Sequence, residues 1–382
     1  MNIVIISRTI FPLLSPRAFR ATELATELAK RGHSVTLYAV LGQFDYSNFQ
    51  KETGIIVKNI GKMWFATDDS EGNFRYTIID KILYHTFHRF IEFPDIEFTL
   101  RIPSILRKEN NCNMLITNAV PYPIHWGAAL AKTILPKVKF PQIWISDCGD
   151  PYMKNPLDKK RLFYFKYIEK WWGRKTDFIT VPLTELKKNY YPECQSKIKV
   201  IPQGFDLSII NLDKTFVKNE IPAFAYAGSI YPGHRDPTAF LNYLSVLDSE
   251  FKFTVFTNDE KFYLPFKEKL KHKLDIRKFI PREQLLFELS KMDFLVNFRN
   301  RSANQSSDKK NDDYGLPSKI IDYLLTQRPI LDISSDFNET DLFHEFLSGN
   351  YENQNIRPDI YQFDIKNVTD KFLNLYHGNK ML

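Results

Sequence analysis

The chain has 382 residues, of which 43% are hydrophobic and 25% are charged, a composition typical of a folded globular protein rather than a disordered one. This length is too great for one ordinary core and suits two α/β domains. The formal net charge of +7 suits a nucleic acid, an anionic lipid surface or a phosphorylated substrate as partner. Charge alone separates none of these three partners.

The three cysteines, Cys112, Cys148 and Cys194, are scattered, with no CxxC or Cys/His pairing. Neither a disulfide framework nor a zinc site is therefore predicted. The opening apolar run, residues 3–6, is short and is followed at once by Arg8, so we expect no secretory signal. No stretch approaches the apolar length that spans a bilayer. We expect a cytoplasmic protein.

In the first half of the chain, short apolar runs alternate with amphipathic segments. Residues 3–6 predict a buried strand, and residues 17–31 predict a helix with alanines and leucines on one face and Gly32 as its C-terminal stop. Short strands separated by helices indicate a parallel sheet covered on both faces. The further strands predicted here are residues 35–40, 114–117, 142–146, 178–181 and 199–202.

A second series of the same kind follows a polar, charged segment, residues 207–222, which is the candidate hinge. Its predicted strands are residues 224–227, 253–256, 276–280, 294–298 and 330–333. The fold class is therefore α/β, with two doubly wound Rossmann-like domains facing across a cleft. We expect an N-terminal domain over residues 1–206, a C-terminal domain over residues 207–355, and a helical segment over residues 356–382 that packs back on the N-terminal domain.

Two segments break this alternation. Residues 303–313, ANQSSDKKNDD, are polar without apolar periodicity and predict a loop. Residues 159–175, KKRLFYFKYIEKWWGRK, interleave basic and aromatic side chains. They fit either a helix with its aromatic side packed in the core or a surface that docks on an anionic membrane. The same two interpretations apply to residues 81–108.

The segment GLPSKIIDYLLTQRPIL, residues 315–331, carries the clearest chemistry. Ser318 can cap a helix, whose free N–H groups and positive dipole end form a site for a diphosphate. Gly315 lets the backbone come close to a ligand, and Asp322 can accept hydrogen bonds from a ribose diol. Alternatively, Lys319 and Asp322 form a surface ion pair.

This segment resembles the donor-binding segment of GT-B glycosyltransferases of family 4, in which one acidic residue precedes the turn and a second lies on the helix. Asp322 takes the second acidic place. The first falls on Tyr314, with Asp312 and Asp313 as the alternatives. The resemblance implies donor binding by Gly315, Leu316, Pro317, Ser318, Lys319, Ile320 and Asp322.

Other matches to the family follow in the expected order. Residues 200–206, VIPQGFD, resemble the family's VIPNGVD segment before the domain linker, and residues 225–229, AYAGS, resemble the strand and glycine turn that opens the donor domain. The resemblance implies that Gly228 and Ser229 approach the pyrophosphate and that Arg235 stabilises its charge. Pro281 and Arg282 match the region that holds the base.

In the first half, residues 31–35, RGHSV, are similar to the family's RGHEV turn, and residues 145–152, ISDCGDPY, resemble its aspartate-containing strand end. The resemblance gives Asp150 and Arg235 catalytic roles, together with Asn118, which stands where many relatives have the active-site histidine. A turn or helix cap is the other interpretation of Asp150. The predicted acceptor-binding residues are Ser15, Arg17, Arg20 and His125, although a packed or capping role is the other interpretation of His125.

The resemblance implies a retaining glycosyltransferase that uses a UDP- or GDP-sugar as co-substrate, with no metal and no permanently bound cofactor. A glycan or lipid-linked glycan acceptor, with peripheral contact at the inner face of the plasma membrane, suits the basic-aromatic segments. A nucleotide-sugar epimerase and a non-catalytic nucleotide-sugar-binding subunit are the alternatives. No nucleic-acid partner is expected, because no recognition module is present.

Overall fold

The protein is described by a computed structural model over residues 1–13, 15–61, 63–64, 87–154, 161–209, 212, 217–231, 235–299, 318–354, 356 and 359–379. The chain divides into two compact units. The first unit comprises Met1–Asp206 and Gln362–Leu382, and the second comprises Leu207–Tyr361. No helix among the described residues has the length and apolar character needed to cross a membrane.

Within the described part of the first unit, seven parallel strands form one sheet with the order β3-β2-β1-β4-β5-β6-β7. These strands are β1 Asn2–Ile6, β2 Ser34–Ala39, β3 Ile56–Asn59, β4 Met114–Ala119, β5 Ile143–Cys148, β6 Phe178–Val181 and β7 Ile198–Val200. The helices are α1 Pro16–Lys30, α2 Ser47–Thr53, α3 Glu97–Lys108, α4 Pro123–Ile134, α5 Phe165–Lys175 and, at the C-terminus, α11 Ile365–Asn379.

Helix α11 returns from the end of the chain to pack on α1 of the first unit. Arg31, which follows α1, donates hydrogen bonds to Asp370 and, at 2.7 Å, to the carbonyl oxygen of Lys366. A Cβ atom on Gly204 would lie 2.5 Å from Cδ1 of Ile365. The glycine of the VIPQGFD segment therefore permits the close approach of α11.

Within the described part of the second unit, five parallel strands have the order β10-β9-β8-β11-β12. The strands are β8 Ala223–Ala227, β9 Lys252–Phe256, β10 Leu274–Arg277, β11 Phe294–Phe298 and β12 Ile330–Ile333. The helices are α6 Thr238–Val246, α7 Glu260–Leu270, α8 Arg282–Ser290, α9 Ser318–Leu325 and α10 Thr340–Ser348. The predicted α/β class, with two parallel sheets and helices, is confirmed.

Strand order reverses beside β1 in the first sheet and beside β8 in the second. In open parallel sheets, ligands bind beyond the carboxyl ends of the strands at such a reversal. The loops that follow β1 and β4, and those that follow β8 and β11, therefore define the candidate sites.

Differences from the predicted strands concern the sheet edges. The edge strand β3 was not predicted, because its residues are half-exposed and form no continuous apolar run. The prediction of residues 276–280 was displaced, since the edge strand β10 is Leu274–Arg277. The predicted loop over residues 303–313 lies outside the described residues, as do residues 210, 211 and 213–216 of the predicted hinge.

One of the buried carboxyl groups of the first unit, that of Glu169, has a raised pKa. Glu169 lies on α5 and is only 1% exposed. Burial raises the pKa of Glu169 from 4.5 to about 7, although the backbone amides of Met153 and Tyr152 act in the opposite direction. The folded protein therefore holds this proton more tightly than the unfolded chain does.

From this difference we expect a pH-dependent loss of stability. Between about pH 4.5 and about pH 7 the folded state keeps a proton that the unfolded state has released, so the free energy of unfolding falls as pH rises. Glu169→Gln removes this titration and should raise the free energy of unfolding at about pH 8 by up to about 3 kcal/mol. Urea denaturation across this pH range measures the effect.

Glu52→Gln, on an exposed side chain, is the matched control. Its stability profile should run parallel to that of the unchanged protein. The same pH dependence in Glu169→Gln and Glu52→Gln would contradict the assignment.

Candidate functional site

Polar side chains meet at the carboxyl end of the first sheet. Asn118 on β4 and Asp147 on β5 are register partners, so their side chains lie on the same face of the sheet. Both are buried, at 4% and 2% exposure. Within the described residues, Oδ1 of Asn118 has no hydrogen-bond partner. Because a buried polar atom without a partner is costly, Asn118 is the group at this strand end with hydrogen-bonding capacity for a ligand.

Arg20 on α1 binds the neighbouring Asp147. Its Nε lies 2.5 Å from Oδ2 and its Nη2 lies 2.6 Å from Oδ1 of that carboxylate. It also donates to the carbonyl oxygens of Pro202 at 2.9 Å and Ile201 at 3.0 Å. Four of the five guanidinium N–H groups are thus engaged. Arg20 thus neutralises a buried carboxylate, and its acceptor-binding role stays a prediction.

Two other predicted residues, Arg17 and Asp150, do come together. Nη2 of Arg17 lies 3.7 Å from Oδ2 of Asp150, and the two side chains are 47% and 49% exposed. The hydroxyl group of Tyr122 donates to the carbonyl oxygen of Asp150. Ser15 is the N-cap of α1, and its Oγ accepts a hydrogen bond from the Ala18 amide at 3.2 Å. Arg17 and Asp150 are accessible to a ligand, whereas the Ser15 hydroxyl serves the helix.

His125 lies within the core between α4 and the sheet. It is fully buried, with Nδ1 2.8 Å from the hydroxyl oxygen of Thr117 and Nε2 3.3 Å from the sulfur of Cys148. Burial lowers the pKa of His125 to about 3. Thr117 precedes Asn118 in β4, so the two side chains lie on opposite faces. His125 is thus a neutral core residue, which fits the packed role that is its other interpretation, and its acceptor-binding role stays a prediction.

In the second unit, the predicted glycine turn directly follows β8. Gly228 has a φ of +154°, in a backbone region that favours glycine, and its amide donates to the carbonyl oxygen of Phe256 at 3.0 Å. The carbonyl oxygen of Ser229 accepts a hydrogen bond from Tyr226 at 2.9 Å. This turn lies at the strand reversal between β8 and β11, as a phosphate-binding turn requires.

Arg235 lies close to this turn in sequence. Its backbone exchanges two hydrogen bonds with Tyr231, of 2.7 and 3.1 Å, and its guanidinium group lies 5.5 Å from the centre of that tyrosine ring. Stacking on an aromatic face orients an arginine without removing its charge.

Arg282 and Asp322, predicted separately as donor-binding residues, form an ion pair. Nε and Nη2 of Arg282 lie 2.8 and 2.7 Å from Oδ1 of Asp322. Burial raises the pKa of Asp322, and the adjacent Arg282 acts in the opposite direction. Asp322 thus pairs with an arginine on α8, which Pro281 precedes as the N-cap. The sequence did not predict this pair.

Helix α9 begins at Ser318 itself, not after it. Ile320 is fully buried in the core of the second unit, so only its backbone amide is suited to a ligand. The side chains of Ser318 and Lys319 lie outside the described part of the structure. Also outside it lie the predicted Gly315, Leu316 and Pro317, together with Asp312, Asp313 and Tyr314.

Tyr323 was not among the predicted site residues. This fully buried side chain on α9 accepts a hydrogen bond from the backbone amide of Ala227, with 2.7 Å between nitrogen and oxygen. Ala227 is the last residue of β8 and immediately precedes Gly228. Tyr323 therefore joins the helix to the glycine turn. A tyrosine within the apolar stripe of α9 was the available signal, because a buried hydroxyl group needs a partner.

Asn297 on β11 was also missed. It is 4% exposed, and within the described residues its Oδ1 has no hydrogen-bond partner. Its Nδ2 lies 2.5 Å from Oδ1 of its register partner Asp332 on β12, and Nε of Arg299 lies 3.7 Å from Oδ2 of the same aspartate. The second unit thus repeats the asparagine, aspartate and arginine of the first.

Among the described residues, no group of three or more histidine, cysteine, aspartate or glutamate side chains is arranged to hold a metal ion.

We expect the two arginine–aspartate pairs of α1 to contribute differently to the free energy of unfolding. Arg20→Leu leaves Asp147 buried without its cation and should lower the free energy of unfolding by about 3–5 kcal/mol. Arg17→Leu, the matched control on the same helix, removes an exposed pair and should cost less than about 1 kcal/mol. Chemical denaturation measures both, and equal losses in the two variants would refute the structural role of Arg20.

Tyr323 and Tyr263 offer a second matched comparison. Tyr323→Phe leaves the buried Ala227 amide without its acceptor and should destabilise the protein by about 1–3 kcal/mol. Tyr263 is equally buried in the second unit, but within the described residues its hydroxyl group has no partner, so Tyr263→Phe should be neutral or stabilising. Thermal denaturation distinguishes the two variants. Unchanged stability of Tyr323→Phe would show that the hydrogen bond between Tyr323 and Ala227 contributes nothing.

Several solved structures share the fold of this chain. A glycosyltransferase from Rickettsia africae matches with a TM-score of 0.60 and 12% identity, over 98% of this chain and 97% of that chain. Anabaena HepE, solved with UDP and glucose, matches with a TM-score of 0.59 and 9% identity, over 99% and 100%. A TarM variant from S. aureus, solved with ligands that include UDP and α-GlcNAc-glycerol, matches with a TM-score of 0.56 and 9% identity, over 98% and 99%.

A search of curated protein sequences found no significant match. The sequence pattern of Glycosyltransferase Family 4, however, matches residues 19–209, half of the chain. This match includes β4 with Asn118 and β5 with Asp147, and it also includes Asp150, which lies just after β5. The predicted family is confirmed: the chain belongs to glycosyltransferase family 4.

Proposed function

We propose that this glycosyltransferase moves a sugar from a UDP- or GDP-sugar to a lipid-linked or polysaccharide acceptor, with retention of configuration. We assign the acceptor to the first unit and the donor to the second. The donor is a co-substrate, and neither a metal nor a permanently bound cofactor takes part. The reaction is placed in the cytoplasm, at the inner face of the plasma membrane.

The observation that carries the proposal is the hydrogen bond of Tyr323 to Ala227. It fixes α9 to the end of β8, immediately before the Gly228 turn. A helix N-terminus offers free amides and a positive dipole end, and a glycine turn lets backbone amides approach the same ligand. The combination suits a diphosphate, whose negative charge rises when the sugar departs.

Arg235 supplements this backbone site with a full positive charge. Its stacking on Tyr231 orients the guanidinium group, and a guanidinium group can bind two phosphate oxygens at once. This charge would stabilise the departing nucleoside diphosphate, which is the task that a metal ion performs in other transferases.

Asp322 and Arg282 suit the nucleoside. Both contacts from Arg282 go to Oδ1 of Asp322, and within the described residues Oδ2 keeps its capacity to accept a ribose hydroxyl. Asp322 is 22% exposed, so a ligand can reach it. The arginine holds the carboxylate in place, and Pro281 with Arg282 is the proposed contact region for the base.

The residues that we propose to contact the acceptor are Asp150, Arg17 and Asn118. The exposed pair of Arg17 and Asp150 can exchange its mutual contact for an acceptor's phosphate and hydroxyl groups. Asn118 can accept one hydrogen bond at the strand end. Asp150 contacts sugar or acceptor in this proposal and is not assigned the role of a nucleophile.

Two of the similar structures support the nature of the donor. Anabaena HepE was solved with UDP and glucose, and the S. aureus TarM variant was solved with UDP. At 9% identity these structures share the fold, and their ligands are extended to this chain as part of the proposal.

Donor binding is tested by calorimetry and thermal shift with UDP, GDP, ADP and their sugars. At least one nucleotide should bind, and Arg235→Ala and Asp322→Ala should each weaken it on the order of tenfold or more. Arg277→Ala, at an exposed ion pair on β10, is the control and should bind as the unchanged protein does.

The donor site would be refuted if both variants kept full affinity and turnover. Conversion of the donor into an epimeric sugar without any acceptor would instead identify an epimerase. Nucleotide binding without turnover over a panel of glycan and lipid-linked acceptors would identify a non-catalytic subunit.

A further inference from the structure

Large apolar side chains are exposed on two neighbouring segments of the first unit. The first is the helical segment 87–91, and the second comprises the start of α5 and the residues just before it. We name these side chains the aromatic patch. They are Phe87 (41% exposed), Phe90 (51%), Ile91 (43%), Phe163 (72%) and Tyr167 (59%).

Two contacts hold the segments of the patch together. The hydroxyl group of Tyr164 donates to the backbone carbonyl oxygen of Phe90. Arg161 lies 3.4 Å from Glu92, and these two side chains are only 18% and 13% exposed. These contacts place the two segments of the patch side by side in the first unit.

The patch lies towards the carboxyl edge of the first sheet. Helix α5 connects β5 to the parallel strand β6, so it runs back from the carboxyl edge, and its first turn is the end closest to that edge. Helix α3, which follows residues 87–91, precedes the parallel strand β4 in the chain, so it also runs back from the carboxyl edge and residues 87–91 lie before its first turn. Asp150 and Arg17 lie at this edge as well.

Basic side chains accompany the aromatic ones. Residues 161–175 contain five basic residues and one acidic residue, and that acidic residue, Glu169, is buried. Tyr167, Lys170 and Arg174 share one helical face because they are spaced by three and four residues. The ammonium group of Lys166 lies 4.8 Å from the centre of the Tyr167 ring, and Arg89 is exposed beside Phe90.

Of the carboxylates in the described part of the chain, Glu92 and Glu193 lie close to this surface, and both are already paired. Glu92 pairs with Arg161. Glu193 lies 3.0 Å from Lys170 and 3.4 Å from Arg174. The positive charge beside the aromatic patch is therefore carried mainly by Lys166 and Arg89, together with the other basic residues of α5.

We propose that the aromatic patch and its basic rim dock on the surface of an anionic lipid bilayer. Aromatic rings are favourable at the boundary between headgroups and acyl chains, and lysine and arginine side chains are attracted to anionic headgroups. Among the described residues, the acidic side chains of the rim are paired and the basic ones are in excess, so this apolar surface matches an anionic bilayer better than a neutral protein surface, which offers no anionic field.

The position of the patch gives the docking a purpose that rests on the proposed function. A lipid-linked acceptor would present its phosphate and sugar above the membrane, on the side of the first unit where Arg17 and Asp150 lie. The docking itself does not depend on transfer, so lipid binding is measured separately from activity.

The experiment is cosedimentation of the full chain with vesicles. One set contains phosphatidylcholine and phosphatidylglycerol in equal parts, and the other contains phosphatidylcholine alone. Binding should require the anionic lipid and should weaken with salt. Phe163→Ser with Tyr167→Ser should reduce binding on the order of tenfold or more, and Arg89→Gln with Lys166→Gln should reduce it about fivefold for each charge.

Leu264→Ser is the matched control, because this exposed apolar side chain (54%) lies in the second unit. It should bind vesicles as the unchanged protein does. All variants alter exposed or half-buried side chains, and circular dichroism checks that they remain folded. Equal binding to both vesicle sets, or unchanged binding of the Phe163 and Tyr167 variant, would overturn the proposal. Self-association abolished by the same variant, without vesicle binding, would assign the patch to a protein interface.

Discussion

At the carboxyl end of each parallel sheet an arginine accompanies an aspartate, which is buried in the first unit and largely shielded from solvent in the second. In the first unit Arg20 binds Asp147 through two nitrogens, and in the second Arg299 approaches Asp332. In each unit an asparagine with a buried oxygen stands beside the aspartate on the adjacent strand. The strand ends around which the candidate sites are built are held by these pairs, because removing the cation would leave a buried charge uncompensated.

The two units differ in what they place around this common arrangement. The second unit joins a glycine turn to a helix N-terminus through Tyr323, which suits a diphosphate. The first unit has an exposed arginine–aspartate pair, Arg17 and Asp150, and a surface of aromatic and basic residues on the same side of its sheet. This division of chemistry is the basis of the proposal that the donor binds to the second unit and the acceptor to the first.

Much of the architecture could be predicted from local sequence pattern. Strands β6, β11 and β12 were predicted with the bounds that the structure has, because buried parallel strands are continuous apolar runs. The edge strands β3 and β10 were missed or displaced, since the residues of these two strands are partly exposed and lack such a run, whereas the edge strand β12 is buried. The family could be predicted from the order of its motifs along the chain, and the match to residues 19–209 confirms it.

Side-chain partners depend on contacts between distant residues. Arg20 and Asp147 are 127 positions apart, and Arg282 and Asp322 are 40 positions apart, so no local pattern connects them. For the same reason, Arg20 was predicted to face an acceptor although it neutralises a buried aspartate. His125 was assigned to a site although it lies on the opposite face of the sheet from Asn118. The sequence by itself determined the α/β class, the family and the glycine turn after β8, because these depend on short-range periodicity, on the order of motifs and on glycine. Only the tertiary structure decided which charged groups are accessible, because burial and pairing arise when distant segments pack together.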